Sequence, residues 1–64
     1  MIMSTDQDII QDAYADALKN LFAIFSQSAL LATTDQERTT AEKRFQAGLL
    51  VIRHTRDRAV ALLT

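Results

Sequence analysis

The sequence contains no cysteine, no proline and only one glycine, Gly48, among its 64 residues. Without cysteine, neither a disulfide framework nor a thiolate zinc site can support the fold. Proline and glycine are common in the turns that connect strands, so their near absence favours helices. Basic and acidic residues number seven and eight. The formal charge of −1 excludes a strong overall field toward nucleic acid or an anionic membrane.

Apolar and small residues recur along both halves of the chain with the alternating spacing of four and three residues that is typical of a packed helix face. In the first half, this seam comprises Ile10, Tyr14, Ala17, Leu21, Ile24, Ser28 and Leu31. In the second half, it comprises Ala41, Phe45, Gly48, Ile52, Thr55, Ala59 and Leu62. The pattern predicts one all-α domain over 1–64, built from two long helices.

Polar residues mark where each helix begins. Thr34 and Glu37 have the spacing of a capping box, in which each side chain bonds a free backbone N–H group of the first turn. Ser4 and Gln7 offer a second box near the start of the chain. The predicted segments are helix one at about 5–32, a turn at about 33–34 and helix two at about 35–63. A connection this short makes the helices antiparallel neighbours.

The two seams complement each other in size when the hairpin is folded so that paired residue numbers sum to about 69. Leu21 then faces Gly48, which makes the glycine a point of close helix approach; a kink or hinge at Gly48 is the alternative. The other predicted pairs are Ala17 with Ile52, Ile10 with Ala59, Ser28 with Ala41, Ile24 with Phe45, and Tyr14 with Thr55.

Helix one carries more apolar surface than one partner helix can cover. A second stripe lies beside its seam and comprises Leu18, Phe22, Phe25, Ala29 and Ala32. Leu30 lies further around the helix, outside this stripe. A contiguous apolar patch on a small protein usually marks an interface. We therefore expect two hairpins to pair through this stripe as a two-fold homodimer, forming a four-helix bundle. The alternative is a monomer that leaves its phenylalanines exposed.

The stretch VIRHTRDRA, residues 51–59, holds the only histidine and three arginines. We interpret it as a solvated helix side, with Arg56 and Arg58 flanking the seam and with Arg53, His54 and Asp57 pointing outward. In an antiparallel hairpin, these arginines lie alongside acids of helix one, and the complementary charges fix the register. The acids are Asp6, Asp8, Asp12 and Asp16.

The residue types needed for catalysis or metal binding do not converge in this pattern. There is no cysteine nucleophile or glycine-rich phosphate loop, and neither His54 nor the Asp12 and Asp16 pair lies on a seam. We therefore expect a protein that is not an enzyme and needs no cofactor or metal. The most apolar region, LKNLFAIFSQSALLA, is interrupted by polar residues, so we expect a soluble, cytoplasmic protein with no membrane partner.

Two binding functions remain open. The first is a homodimeric bundle that acts as a protein-interaction, adaptor or regulatory module, with another protein as its partner. The second is a nucleic-acid binder that resembles plasmid RNA-binding helical-hairpin dimers in architecture only. It would require one basic stripe on helix two. The residues of that surface are Lys43, Arg44, Arg53, His54, Arg56 and Arg58.

Overall fold

The computed structural model describes residues 5–63, which form two helices packed against each other as an antiparallel hairpin. Helix α1 spans Asp6–Leu31 and helix α2 spans Asp35–Ala61. These bounds lie within two residues of those expected from the sequence. The all-α hairpin predicted from the seam spacing is therefore confirmed.

Thr5 caps the N-terminus of α1. Its Oγ1 accepts from the backbone N–H of Asp8 at 3.1 Å, and Asp8 Oδ2 accepts from the N–H of Thr5 at 3.4 Å, which completes a capping box. The Asp8 carboxylate also places negative charge near the positive end of the helix dipole. The box expected from Ser4 and Gln7 includes Ser4, which lies outside the described residues.

Thr34 caps α2, as the sequence predicts. Its Oγ1 accepts from the backbone N–H of Glu37 at 3.1 Å. The Glu37 carboxylate accepts from the hydroxyls of Thr33, at 3.1 Å, and of Thr34, at 3.3 Å. The paired threonines at the turn therefore bind both the backbone and the side chain of one first-turn residue.

The predicted register is present along the hairpin. A Cβ atom built on Gly48 would lie 2.7 Å from Leu21 Cδ1, so the glycine gives the leucine side chain room against the α2 backbone. One groove between the helices is lined by Ile10 with Ala59 and by Ala17 with Ile52. Gly48 is a close-approach position within a continuous α2, not a break between two helices.

Two contacts are displaced by one residue from the predicted pairs. Phe25 stacks on Phe45 with ring centroids 4.9 Å apart, while Ile24 is 63% exposed. Likewise, the Arg56 guanidinium, not Thr55, lies over the Tyr14 ring. A strict repeat of 3.5 residues drifts by about 20° per heptad on a straight helix of 3.6 residues per turn. The real contact line therefore moves one position along the sequence.

The hairpin encloses almost no core. Ala41 is the one fully buried residue among those described, with 6% of its surface exposed. The Cα atoms occupy a flat slab of 50 × 24 × 7 Å with a radius of gyration of 15.2 Å. A compact chain of this length has a radius of about 11 Å. The accessible surface is 5337 Å², against about 4,100 Å² expected for a compact monomer of this mass.

Candidate interaction surfaces

The flat hairpin has two broad faces, and simple helix geometry assigns residues to each. Successive residues turn by about 100°, so the residue after a seam residue lies on one flank and the residue before it lies on the other. Because α1 and α2 are antiparallel, the following residues of both helices share one face of the slab, and the preceding residues share the opposite face.

We name the first of these surfaces the Leu18 face. It combines the residues that follow seam positions in each helix. From α1 they are Gln11, Ala15, Leu18, Phe22 and Ala29, and from α2 they are Glu42, Gln46, Leu49, Arg53 and Val60. Phe22 is 60% exposed. The face is therefore apolar along α1 from Ala15 to Ala29, whereas along α2 it carries one acid, one base and one amide beside its apolar residues.

The second stripe predicted from the sequence is divided by the structure. Leu18, Phe22 and Ala29 lie on the Leu18 face, as a stripe beside the seam requires. Phe25 and Ala32 are partly buried on the side of α1 that faces α2, and the Phe25 ring packs against Phe45. The part of the stripe that lies outside the helix interface is therefore centred on Phe22.

The opposite surface, the groove face, combines the residues that precede seam positions. It exposes three large apolar side chains: Ile24 at 63%, Leu31 at 68% and Val51 at 62%. The lining of the clefts supports this assignment independently, because one cleft joins Ala13 to Thr55 and another joins Ile24 to Arg44. Sequence reasoning missed this face; its signal was the set of alanines that leave space between the helices, namely Ala13, Ala17 and Ala59.

The most apolar cleft on the groove face has a volume of about 300 Å³ and is called here the Ala13 groove. Its lining residues are Ile10, Ala13, Tyr14, Ala17, Ile52, Thr55, Arg56 and Ala59. Two polar side chains at its edge, Thr55 and Arg56, make hydrogen bonds within α2. The Thr55 hydroxyl donates to the Val51 carbonyl at 2.8 Å, and Arg56 Nε donates to Asp57 Oδ1 at 3.0 Å. What the groove offers a ligand is apolar surface.

A second cleft of about 570 Å³ lies at the turn end of the same face. Thr34, Gln36, Glu37 and Arg44 supply polar groups to it. The Thr34 hydroxyl and the Glu37 carboxylate bond each other, and both take part in the cap of α2. This cleft is therefore a consequence of the capped turn.

The basic residues of α2 are spread around the helix. Arg44 precedes a seam residue and lies on the groove face, whereas Arg53 follows one and lies on the Leu18 face. Lys43 and His54 are exposed and lie on the side away from α1. Arg58 is exposed next to His54 on that outer side, towards the groove face. The single stripe that nucleic-acid binding requires is not assembled on one protomer.

Arg56 is placed differently from the flanking position that its sequence suggests. Its Cζ lies 4.4 Å from the centroid of the Tyr14 ring, and its side chain is 26% exposed. The guanidinium therefore closes one edge of the interface between the helices. Because its guanidinium makes a cation–π contact across the helix interface and its side chain is largely covered, Arg56 is a packing residue more than a free charge.

Two further findings concern residues 5–63. No three histidine, aspartate or glutamate side chains there converge closely enough to hold a metal ion. Neither α1 nor α2 combines the length and the apolar character needed to cross a membrane.

Comparison with protein-family models, with curated proteins and with solved structures gave no match to this chain.

Proposed function

We propose that this protein is a non-enzymatic adaptor: a homodimeric helical bundle that docks another protein. The observation that carries the proposal is the presence of apolar surface on both faces of a hairpin in which only Ala41 is fully buried among the described residues. A chain of this size is marginally stable by itself and commonly relies on self-association. One face suffices for a second copy, which leaves the other for a partner.

The assignment of the two faces follows from their shapes. The Leu18 face presents protruding side chains, led by Phe22, which suit packing between layers of helices. The groove face presents a concave apolar cleft bordered by Ala13 and Ala17. Small residues let another helix approach closely, and an amphipathic helix laid in a hydrophobic groove is a common mode of peptide recognition. We therefore place the protein partner in the Ala13 groove.

A binding role also fits the state of the polar groups. Thr55 and Arg56 border the groove, and each makes the hydrogen bond described above within its own helix. An active site instead needs polar groups aimed at a reacting atom. The groove supplies shape and apolar contact, which serve recognition.

The test compares Ala13→Glu with the matched control Ala23→Glu. Both alanines are exposed on α1, but Ala23 lies on the side away from α2, so only Ala13→Glu introduces a carboxylate at the groove. Tagged full-length chains are used to capture partners from the cell of origin, with identification by mass spectrometry. We expect one protein to be retained by the wild type and by Ala23→Glu, and to be lost with Ala13→Glu. Equal retention by all three chains would contradict the groove assignment.

The same capture experiment distinguishes the protein adaptor from a nucleic-acid binder. Binding through phosphate contacts weakens steeply with salt, and nuclease treatment abolishes it. Retention that disappears with nuclease, and that depends on Arg53 and Arg58 instead of Ala13, would replace the adaptor by a nucleic-acid binder. The spread of the basic residues around α2 gives this alternative less support than the groove gives the adaptor.

A further inference from the structure

The Leu18 face has a charge pattern that is complementary to itself. The pairs Ala17 with Ile52 and Ser28 with Ala41 line clefts between the helices, which fixes the relative height of α1 and α2. Arg53 therefore lies level with Asp16, and Glu42 lies level with Gln27. The midpoint between this base and this acid falls between Leu21 and Phe22 on α1.

The apolar residues of the same face are centred at the same height. Phe22 lies in the middle, Ala15 and Ala29 lie at equal distances on either side, and Leu18 lies between Ala15 and Phe22. Two independent features, the charges on α2 and the apolar side chains on α1, thus share one centre. A two-fold axis through that centre brings each residue onto its complement, as an isologous interface requires.

We infer that a second copy of this chain covers the Leu18 face about a two-fold axis that passes beside Phe22, perpendicular to the helices. Helix α1 packs antiparallel on α1 of the second copy, with Phe22 at the axis and Ala15 near the second copy's Ala29. Helix α2 packs on the second α2, with Arg53 of each protomer beside Glu42 of the other. This arrangement rests on the proposed homodimer and specifies its geometry.

The surface area is consistent with this occupant. The hairpin exposes 5337 Å², which exceeds the value for a compact monomer of its mass by about 1,200 Å². A standard protein interface covers about 800 Å² on each partner. One copy on one face therefore accounts for about two thirds of the excess, and the groove face stays free on the outside of the bundle.

The alternative two-fold axis, parallel to the helices, is disfavoured by the same residues. It would place α1 of one copy on α2 of the other at the same height, so that Arg53 would face Ala15 and Leu18, and Glu42 would face Ala29. Burying charges against apolar side chains without a partner is costly. The perpendicular axis instead pairs the charges at the rim and keeps apolar residues together at the centre.

The absence of cysteine from the sequence makes disulfide trapping unambiguous. Because Phe22 lies at the axis, the single variant Phe22→Cys should form a covalent dimer under mild oxidation, whereas Ala23→Cys, on the outer side of α1, should not. If the axis were parallel to the helices, a mixture of Phe22→Cys and Leu49→Cys chains would crosslink as a heterodimer instead. Denaturing gel electrophoresis without reductant reads out all three cases.

Charge reversal provides a measurement that leaves the apolar contacts intact. Arg53→Glu places acids opposite each other at two symmetric positions, and we expect the dimer Kd to rise about tenfold. The double variant Arg53→Glu/Glu42→Arg should restore most of this loss. Lys43→Glu makes the same charge change on the outer side of α2 and should leave the Kd within about twofold. Sedimentation equilibrium at several concentrations measures all four chains.

The possible outcomes test the perpendicular axis separately from the homodimer itself. A dimer in which Phe22→Cys fails to crosslink, and in which Arg53→Glu behaves like Lys43→Glu, would overturn the perpendicular axis while leaving the homodimer standing. A wild-type chain that sediments as a folded monomer at micromolar concentration would overturn both. Crosslinking at Phe22 together with rescue by the double variant supports the inferred geometry.

Discussion

The Arg56 guanidinium lies over the Tyr14 ring, with 4.4 Å between Cζ and the ring centroid, and its Nε donates to Asp57 Oδ1 at 3.0 Å. The contact with Tyr14 crosses the helix interface near the open end of the hairpin, and the bond to Asp57 lies within α2. The Tyr14 contact joins an aromatic residue of α1 to a cation of α2 at one edge of the Ala13 groove. Arg56 is therefore set apart from the other basic residues of its stretch by packing.

Substitution of the two neighbouring arginines should separate packing from charge. Arg56→Ala removes the cation–π contact and the apolar cover of the arginine stem, so we expect a loss of about 1 to 2 kcal/mol in the free energy of unfolding. Arg58→Ala removes an equal charge from an exposed position and should stay within about 0.5 kcal/mol. Urea denaturation followed by circular dichroism measures both. Equal losses would mean that Arg56 stabilises the hairpin through its charge and not through its contact with Tyr14.

Gly48 should tolerate only the smallest side chain. In Gly48→Ala, the gain of about 1 kcal/mol in helix propensity is offset by displacement of the flexible end of Leu21, so we expect a small net change. In Gly48→Leu, the added side chain forces the helices apart, and the loss should reach about 1 to 3 kcal/mol. Ala47→Leu on the exposed side is the control. Thermal unfolding of the three variants tests the close approach, and an unaffected Gly48→Leu would contradict it.

The cap of α2 gives a third prediction. Thr34→Ala removes the oxygen that accepts from the Glu37 backbone N–H, and we expect a loss of about 1 kcal/mol. Thr33→Ala is the matched control, because the Thr33 hydroxyl bonds only the exposed carboxylate of Glu37 and should contribute less than about 0.5 kcal/mol. Denaturant midpoints of the two variants provide the comparison. If the order of the two losses were reversed, the carboxylate bonds and not the backbone cap would hold the turn.

Most of the fold could be predicted from local features of the sequence. Short-range chemistry predicts the Thr34 cap and the length of both helices. The size complementarity of the two seams predicts the close approach of Leu21 and Gly48. Neither predicts the displaced contacts Phe25–Phe45 and Tyr14–Arg56, because these depend on how a seam drifts over several turns of a straight helix. Where two adjacent residues are both able to pack, spacing alone does not predict which of them contacts the other helix.

The interaction surfaces were only partly predictable. The surplus of apolar residues on α1 predicted that a face needs cover, which is how Leu18 and Phe22 were found. The Ala13 groove could not be read in the same way, since a groove is made by small residues whose exposure becomes meaningful only when two helices are placed side by side. Likewise, the division of Arg44 and Arg53 between opposite faces follows from their positions relative to the contact line.

His54 provides the last prediction, because it is the residue of its stretch that most invites a functional reading. It is exposed and lies on the side of α2 away from α1, outside both the Leu18 face and the Ala13 groove. His54→Ala should therefore change the free energy of unfolding by less than about 0.5 kcal/mol, and it should leave both the dimer Kd and the captured partner unchanged. Denaturation, sedimentation and the capture assay check these three points, with Arg56→Ala as the destabilised comparison. If His54→Ala lost the partner while the chain kept its normal stability, the docking site would lie on the outer side of α2 and not in the Ala13 groove. A surface substitution that leaves the fold intact can weaken binding only through contacts at or near the substituted residue.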